Sequence, residues 1–213
     1  MEYTKIPVKT HFVTPGEDFN ALIEKYVLPV YQKGDFMTIS EKVLAITQNR
    51  VVYRKDLNIG FWAKFLSRFA SRPESGAGVG DSANMAYCIK KIGLPKTLYA
   101  AVMAGFGKLV GKKGVFYEIA GREVAGIDGF SDHIWDAYKD MGIEIPLNPK
   151  GVCDGLEEKY GIVCAVIDAN DFNQEVFATS KSLDEKTVLE QIKDNPAGQL
   201  HQQTPFIIMR PVK

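Results

Sequence analysis

The chain has 213 residues, 46% hydrophobic and 24% charged, enough for one substantial core and unlike the composition of a disordered protein. Lys plus Arg equals Asp plus Glu at 26 each. No global field therefore draws the molecule to nucleic acid or to an anionic membrane, although charge can still be segregated locally.

From the start, residues 3–12 alternate weakly and predict a strand. Thr14-Pro15-Gly16-Glu17 supplies an N-cap, a proline at the first helical position and a capping glutamate. A helix follows with Phe19, Leu22, Ile23 and Tyr26 on one face, and Pro29 stops it. Lys33-Gly34-Asp35 turns the chain into a short apolar strand over residues 36–40. Residues 41–53, rich in β-branched side chains, fit either strand or helix. Over residues 57–70 the pairs Phe61/Trp62, Phe65/Leu66 and Phe69/Ala70 recur every four residues, as in a helix whose stripe is core or subunit interface.

A glycine-rich run, residues 76–80, leads through Asp81 and Ser82 into a helix ending at Ile92, and Pro95 opens another that runs into residues 105–114. Residues 115–120 read as a strand. Two further strands are predicted over residues 162–167 and 206–209. Between them lies a helix over residues 183–192, with Ser182 and Glu185 as its capping pair. Strands and helices mix without a regular βαβ beat. The expected class is therefore α+β, with mixed or antiparallel sheets and packed helices, in a single domain over 1–213.

Cys88, Cys153 and Cys164 have neither CxxC nor CxxH spacing and read as buried reduced thiols. Met1-Glu2-Tyr3-Thr4-Lys5 lacks the pattern of an export signal. The most apolar stretch, residues 98–110, is only about two-thirds of a membrane span and reads as a buried helix. The expected location is cytoplasmic.

Candidate chemistry lies in the loops. The run before Asp81 lacks the Gly-Lys-Ser/Thr of a phosphate loop, and a turn capping a helix through Asp81 or Ser82 fits it better. Lys108, Lys112 and Lys113 among glycines suit either a polyphosphate site or a solvated basic hairpin. Asp128 and Asp168 each follow an apolar stretch. A carboxylate at the end of a buried strand is held rigidly yet can face a cleft, as a hard divalent cation requires, whereas the same residue can simply cap a turn. Residues 195–205 form a polar, glutamine-rich cluster before the last strand. His11, His133 and His201 have no metal-ligand spacing.

Taken in order, Gly126-Ile127-Asp128, Ile167-Asp168-Ala169-Asn170, and Gly198-Gln199 with Pro205 resemble the coenzyme F420-0:L-glutamate (γ-glutamyl) ligase family. Pro15-Gly16-Glu17-Asp18, Lys33-Gly34-Asp35 and Arg50 before Val51-Val52 extend the likeness. The resemblance implies a GTP-dependent (or ATP-dependent) acid–amine ligase with Mg²⁺ or Mn²⁺, adding glutamate to F420-0 through an acyl phosphate. It also implies an intertwined homodimer; the expectation that nucleic acid and membrane are not partners rests on the balanced charge and the lack of a membrane-length apolar stretch. The resemblance assigns metal-ligand roles to Asp128, Asp168 and Gln199. Asp171 is a possible further ligand, and Asn170, Arg50, Lys108, Lys112 and Lys113 are the candidates for phosphate binding.

Two stretches depart from the family pattern. Residues 45–50 read Ala-Ile-Thr-Gln-Asn-Arg where the family carries Ser-Lys-x-Glu-Gly-Arg, and Asp171-Phe172 stands in place of Gly-Arg. The alternatives are a ligase of the same chemistry on another carboxylate, or a non-catalytic nucleotide- or metal-binding protein.

Overall fold

The computed structural model describes residues 2–70, 78–130, 139–169, 174–193 and 203–212. The architecture is a mixed α+β fold with packed helices, and the chain forms two compact units. One unit comprises Met1–Arg50 with Pro146–Lys213, and the other Val51–Ile145.

The first unit is built on a five-stranded sheet of order β1-β8-β2-β6-β7. Its strands are β1 (Tyr3–Val8), β2 (Phe36–Ser40), β6 (Cys164–Ala169), β7 (Gln174–Thr179) and β8 (Phe206–Pro211). β2 and β6 run parallel, and the other pairings are antiparallel. The central strands β2, β6 and β8 are covered on both faces, so their sequences are nearly continuous apolar runs without strict alternation. One face joins Phe36, Ala165, Ile167, Ile207 and Met209 to Val188 and Ile192, at the end of α9 (Glu185–Gln191). The alternate residues Met37, Ile39, Val166 and Ile208 are also fully buried. Helix α8 (Pro149–Tyr160) packs on β6 and β7, and Phe19 of α1 (Phe19–Leu22) meets Phe206 edge-on at 6.1 Å.

Two helix starts differ from expectation by a few residues. Asp18, not Thr14, caps α1 by accepting from the Asn20 N–H. Glu17 instead turns back to accept from the Thr14 N–H at 3.1 Å, and Gly16 holds φ +80° between them. The helix then widens to i→i−5 bonding over Ile23–Val27 and ends ahead of Pro29, as expected. Likewise Asp184, not Ser182, caps α9, and the Ser182 hydroxyl donates to Glu157 at 2.6 Å.

The second unit holds α3 (Phe61–Ser67), α4 (Ser82–Ile92), α5 (Leu94–Leu109), α6 (Val115–Ala120) and α7 (Arg122–Ala125). It also holds an antiparallel sheet of order β3-β5-β4, formed by Val51–Tyr53, Met141–Ile143 and Asp128–Gly129. The ambiguous stretch after β2 resolves into helix α2 (Glu41–Thr47) followed by β3.

Residues 115–120, expected as a strand, form α6. Val115 packs so closely on Gly107 of α5 that a Cβ there would lie 2.7 Å from its Cγ2, and this helix–helix contact overrides β propensity. The aromatic stripe is not core: Phe61 and Phe69 are 70% and 68% exposed. Nor is α5 wholly buried. It buries Thr97, Ala100 and Gly107 while exposing Tyr99, Val102, Phe106 and Leu109.

Inside this unit the Tyr87 hydroxyl and the Lys91 ammonium both donate to buried Glu144 Oε1, at 2.7 and 2.9 Å. Burial draws Lys91 down, but its bonds to Glu144 and Glu123 more than offset this and leave it above the ordinary lysine range. The three cysteines are buried and carry no disulfide, as expected. No helix among the described residues is long and apolar enough to cross a membrane.

Candidate functional site

The sequence-predicted residues divide between the two units. In the first, Asp168 follows Cys164, Ala165, Val166 and Ile167, all 4% exposed or less, and is itself half-buried. It sits near the carboxyl end of β6, paired in register with Glu175 of β7. The neighbouring strand β2 is parallel, with Ser40 opposite Ile167, so both strands end at the same edge. The next residue after Ser40 is Glu41, a carboxylate only 7% exposed at the first position of α2.

Sequence reading passed over Glu41. The available signal was the one used for Asp168, an acidic residue directly after an apolar strand. Arg50 lies at the far end of α2, where its N–H donates to the Ala45 carbonyl at 2.8 Å after Asn49 at φ +55°. Gln48, where the family pattern has glutamate, braces this turn instead. Its amide bonds the Leu147 carbonyl and N–H at 2.8 and 2.6 Å.

The same unit also carries His11, whose ring nitrogens meet the Tyr26 hydroxyl at 2.7 Å and Glu17 Oε1 at 2.6 Å. A cleft of about 570 Å³ is lined by Tyr3, Tyr31, Lys33, Tyr160 and Val163 among others, and holds none of the predicted site residues. Burial raises the Tyr31 phenol above its ordinary range, consistent with its structural work there: it donates to the Asp35 carbonyl and accepts from the Val163 N–H.

In the second unit Asp128 opens the two-residue strand β4, and its position depends on unusual backbone. Gly129 adopts φ +141° and Phe130 φ +54°. A Cβ on Gly129 would lie 2.3 Å from the Met141 carbonyl oxygen, and one on Gly142 would lie 2.7 Å from the Phe130 ring. Phe130 is held by packing, being 5% exposed with the Arg54 guanidinium 5.5 Å over its ring. Strained backbone of this kind persists only where the surroundings over-determine it, and it clusters at functional sites.

The basic run is partly engaged in local structure. Lys108 Nζ donates to the Phe69 carbonyl at 3.2 Å, and Lys112 pairs with Glu118 at 2.8 Å. Lys113 is exposed between Gly111 and Gly114, both with positive φ. The first glycine run ends as the capping reading expected, with Asp81 Oδ1 accepting from the Ala83 N–H at 2.7 Å.

Asn170, Asp171 and Gln199, together with His133 and His201, lie outside the described residues. Among the described residues, no group of three or more His, Cys, Asp or Glu is placed to hold a metal ion. The two carboxylates Asp128 and Asp168 are hard oxygen donors of the kind that suits Mg²⁺ or Mn²⁺. No protein-family model matches the chain, and no curated protein matches it.

Proposed function

We propose that the chain is a metal- and nucleotide-dependent acid–amine ligase that joins glutamate to a small-molecule carboxylate, with GTP as nucleotide and F420-0 as acceptor. The observation that supports this reading most directly is Asp168, half-buried at the carboxyl end of β6 after four buried residues. Such a position holds a carboxylate rigidly and leaves it accessible. The glycine-dependent turn around Asp128 is the second support. The proposed homodimer comes with the family resemblance, and the proposed cytoplasmic location with the lack of an export-signal pattern at residues 1–5.

The reaction explains why carboxylate ligands are needed. A substrate carboxylate oxygen bonds to the terminal phosphorus of the nucleotide, and the nucleoside diphosphate leaves. The glutamate amine then bonds to the acyl carbon, inorganic phosphate leaves with the C–O electron pair, and the amine loses a proton. The approach of carboxylate to polyphosphate brings negative charges together. A bound Mg²⁺ or Mn²⁺ would neutralise that charge and polarise the phosphoryl oxygens. Asp168 in the first unit and Asp128 in the second would each be a candidate ligand, and the exposed Lys113 would meet phosphate oxygens as a mobile point charge. No protein nucleophile is required.

The test is incubation with GTP or ATP, Mg²⁺ or Mn²⁺, glutamate and F420-0, followed by mass spectrometry. A product heavier by one glutamyl group is expected, and Asp168→Asn removes most of that turnover while the protein stays folded. Nucleotide cleavage only with a different carboxylate reassigns the acceptor. Nucleotide binding without cleavage under every acceptor refutes the ligase reading.

A further inference from the structure

Two exposed apolar faces of the second unit lie on stretches that contain no acidic residue. Helix α3 and the turn after it expose Phe61, Phe65 and Phe69, and α5 with its following turn exposes Phe106, Leu109 and Val110, the last two at 82% and 80%. Residues 57–70 and 94–117 carry Lys64, Arg68, Lys96, Lys108, Lys112 and Lys113, and neither Asp nor Glu. Since the whole chain balances 26 cations against 26 anions, this positive charge is segregated and is not the mark of a basic protein. The two stretches meet where Lys108 Nζ donates to the Phe69 carbonyl at 3.2 Å. Lys112 is offset by Glu118, just beyond the second stretch; the other cations have no acid within either stretch.

Cations beside exposed phenylalanine, leucine and valine match the chemistry of an anionic bilayer surface. Rings and branched chains enter the boundary between headgroups and acyl chains, while ammonium and guanidinium groups meet the lipid phosphates. A second copy of the chain fits less well. An isologous contact would set this surface against itself and bring like cations together, with no acid in either stretch to pair them.

We propose that this face of the second unit docks peripherally on an anionic membrane, Phe69, Leu109 and Val110 entering the interface and Arg68, Lys108 and Lys113 contacting lipid phosphates. The docking shares Lys113 with the ligase reading, but vesicle binding is measured without nucleotide or acceptor, so either can fail alone. The full chain would be sedimented with vesicles of phosphatidylcholine alone, and of phosphatidylcholine with about one-third phosphatidylserine. Binding to the anionic vesicles alone is expected, with loss at high salt. Arg68→Gln and Lys113→Gln should each weaken partitioning roughly fivefold.

Leu109→Ser combined with Val110→Ser alters two exposed residues. It should remove most binding while circular dichroism stays unchanged. The proposal is overturned by absence from the anionic pellet, or by equal partitioning of the serine variant. It is also overturned if light scattering shows that the serine variant splits a dimer and vesicle binding does not change, because a second copy then covers this face.

Discussion

Gly129→Ala tests whether the turn that carries Asp128 is built as described. The substitution carries two separable costs. First, φ is +141°, a region that L side chains rarely adopt. Second, the new Cβ would lie 2.3 Å from the Met141 carbonyl oxygen and 2.6 Å from Gly142 Cα, both backbone atoms of β5. Backbone atoms cannot rotate aside like a flexible side chain, so β4 must separate from β5.

Strain and overpacking together amount to about 4 kcal/mol, which for a chain of this size lowers Tm by about 10 °C. Gly111→Ala is the matched control. Its φ is +77° and nothing lies within 4 Å of the added Cβ, so only the conformational cost of about 1 kcal/mol applies. Thermal unfolding followed by circular dichroism reads both variants. If Gly129→Ala unfolds within about 2 °C of the parent, or no lower than Gly111→Ala, the close packing of β4 on β5 is wrong.

Three further outcomes follow from the same geometry. Gly155 is exposed in α8 with open space around its Cβ position; Gly155→Ala should raise stability by about 0.5–1 kcal/mol in urea unfolding, and a loss would show a contact there. Asp81→Ala removes the cap of α4 and should cost about 1 kcal/mol in the same assay; no change would mean that the Ala83 N–H finds another acceptor. For Glu17, burial raises the carboxyl, but hydrogen bonds from Thr14 and His11 and the adjacent His11 charge outweigh it, so the folded pKa lies below the ordinary value. Its stabilisation is then present above the unfolded pKa of about 4.3 and lost as pH falls through the folded value. The Tm gap between parent and Glu17→Gln should therefore close on acidification, and a gap that widens would reverse the sign of the coupling.

Much of the secondary structure was legible because its signals are local. Asp81 before an amphipathic run, Pro95 one residue into α5, and the apolar strands β2, β6 and β8 announce themselves within a few residues. The sequence pattern pointed to Thr14 and Ser182 as caps, whereas Asp18 and Asp184 fill those places. The choice depends on which side chain is already engaged elsewhere, Ser182 by Glu157 for example. Asp128 and Asp168 were visible as acidic residues after apolar stretches. Glu41 carries the same signal, but that it shares an edge with Asp168 depends on β2 lying parallel to β6 across more than a hundred residues of chain.

The sequence by itself determined the α+β class, the buried thiols and most of the main helices and strands, and it offered Asp128 and Asp168 as candidates. These rest on composition and short-range periodicity, which a linear reading can follow. The tertiary structure decided that residues 115–120 coil as a helix against Gly107, that α3 and α5 leave their aromatic faces outward, and that Asp128 rides on a turn only glycine at position 129 permits. Each of these depends on which distant segment supplies the packing surface. Local propensity, worth a fraction of a kcal/mol per residue, yields to such contacts.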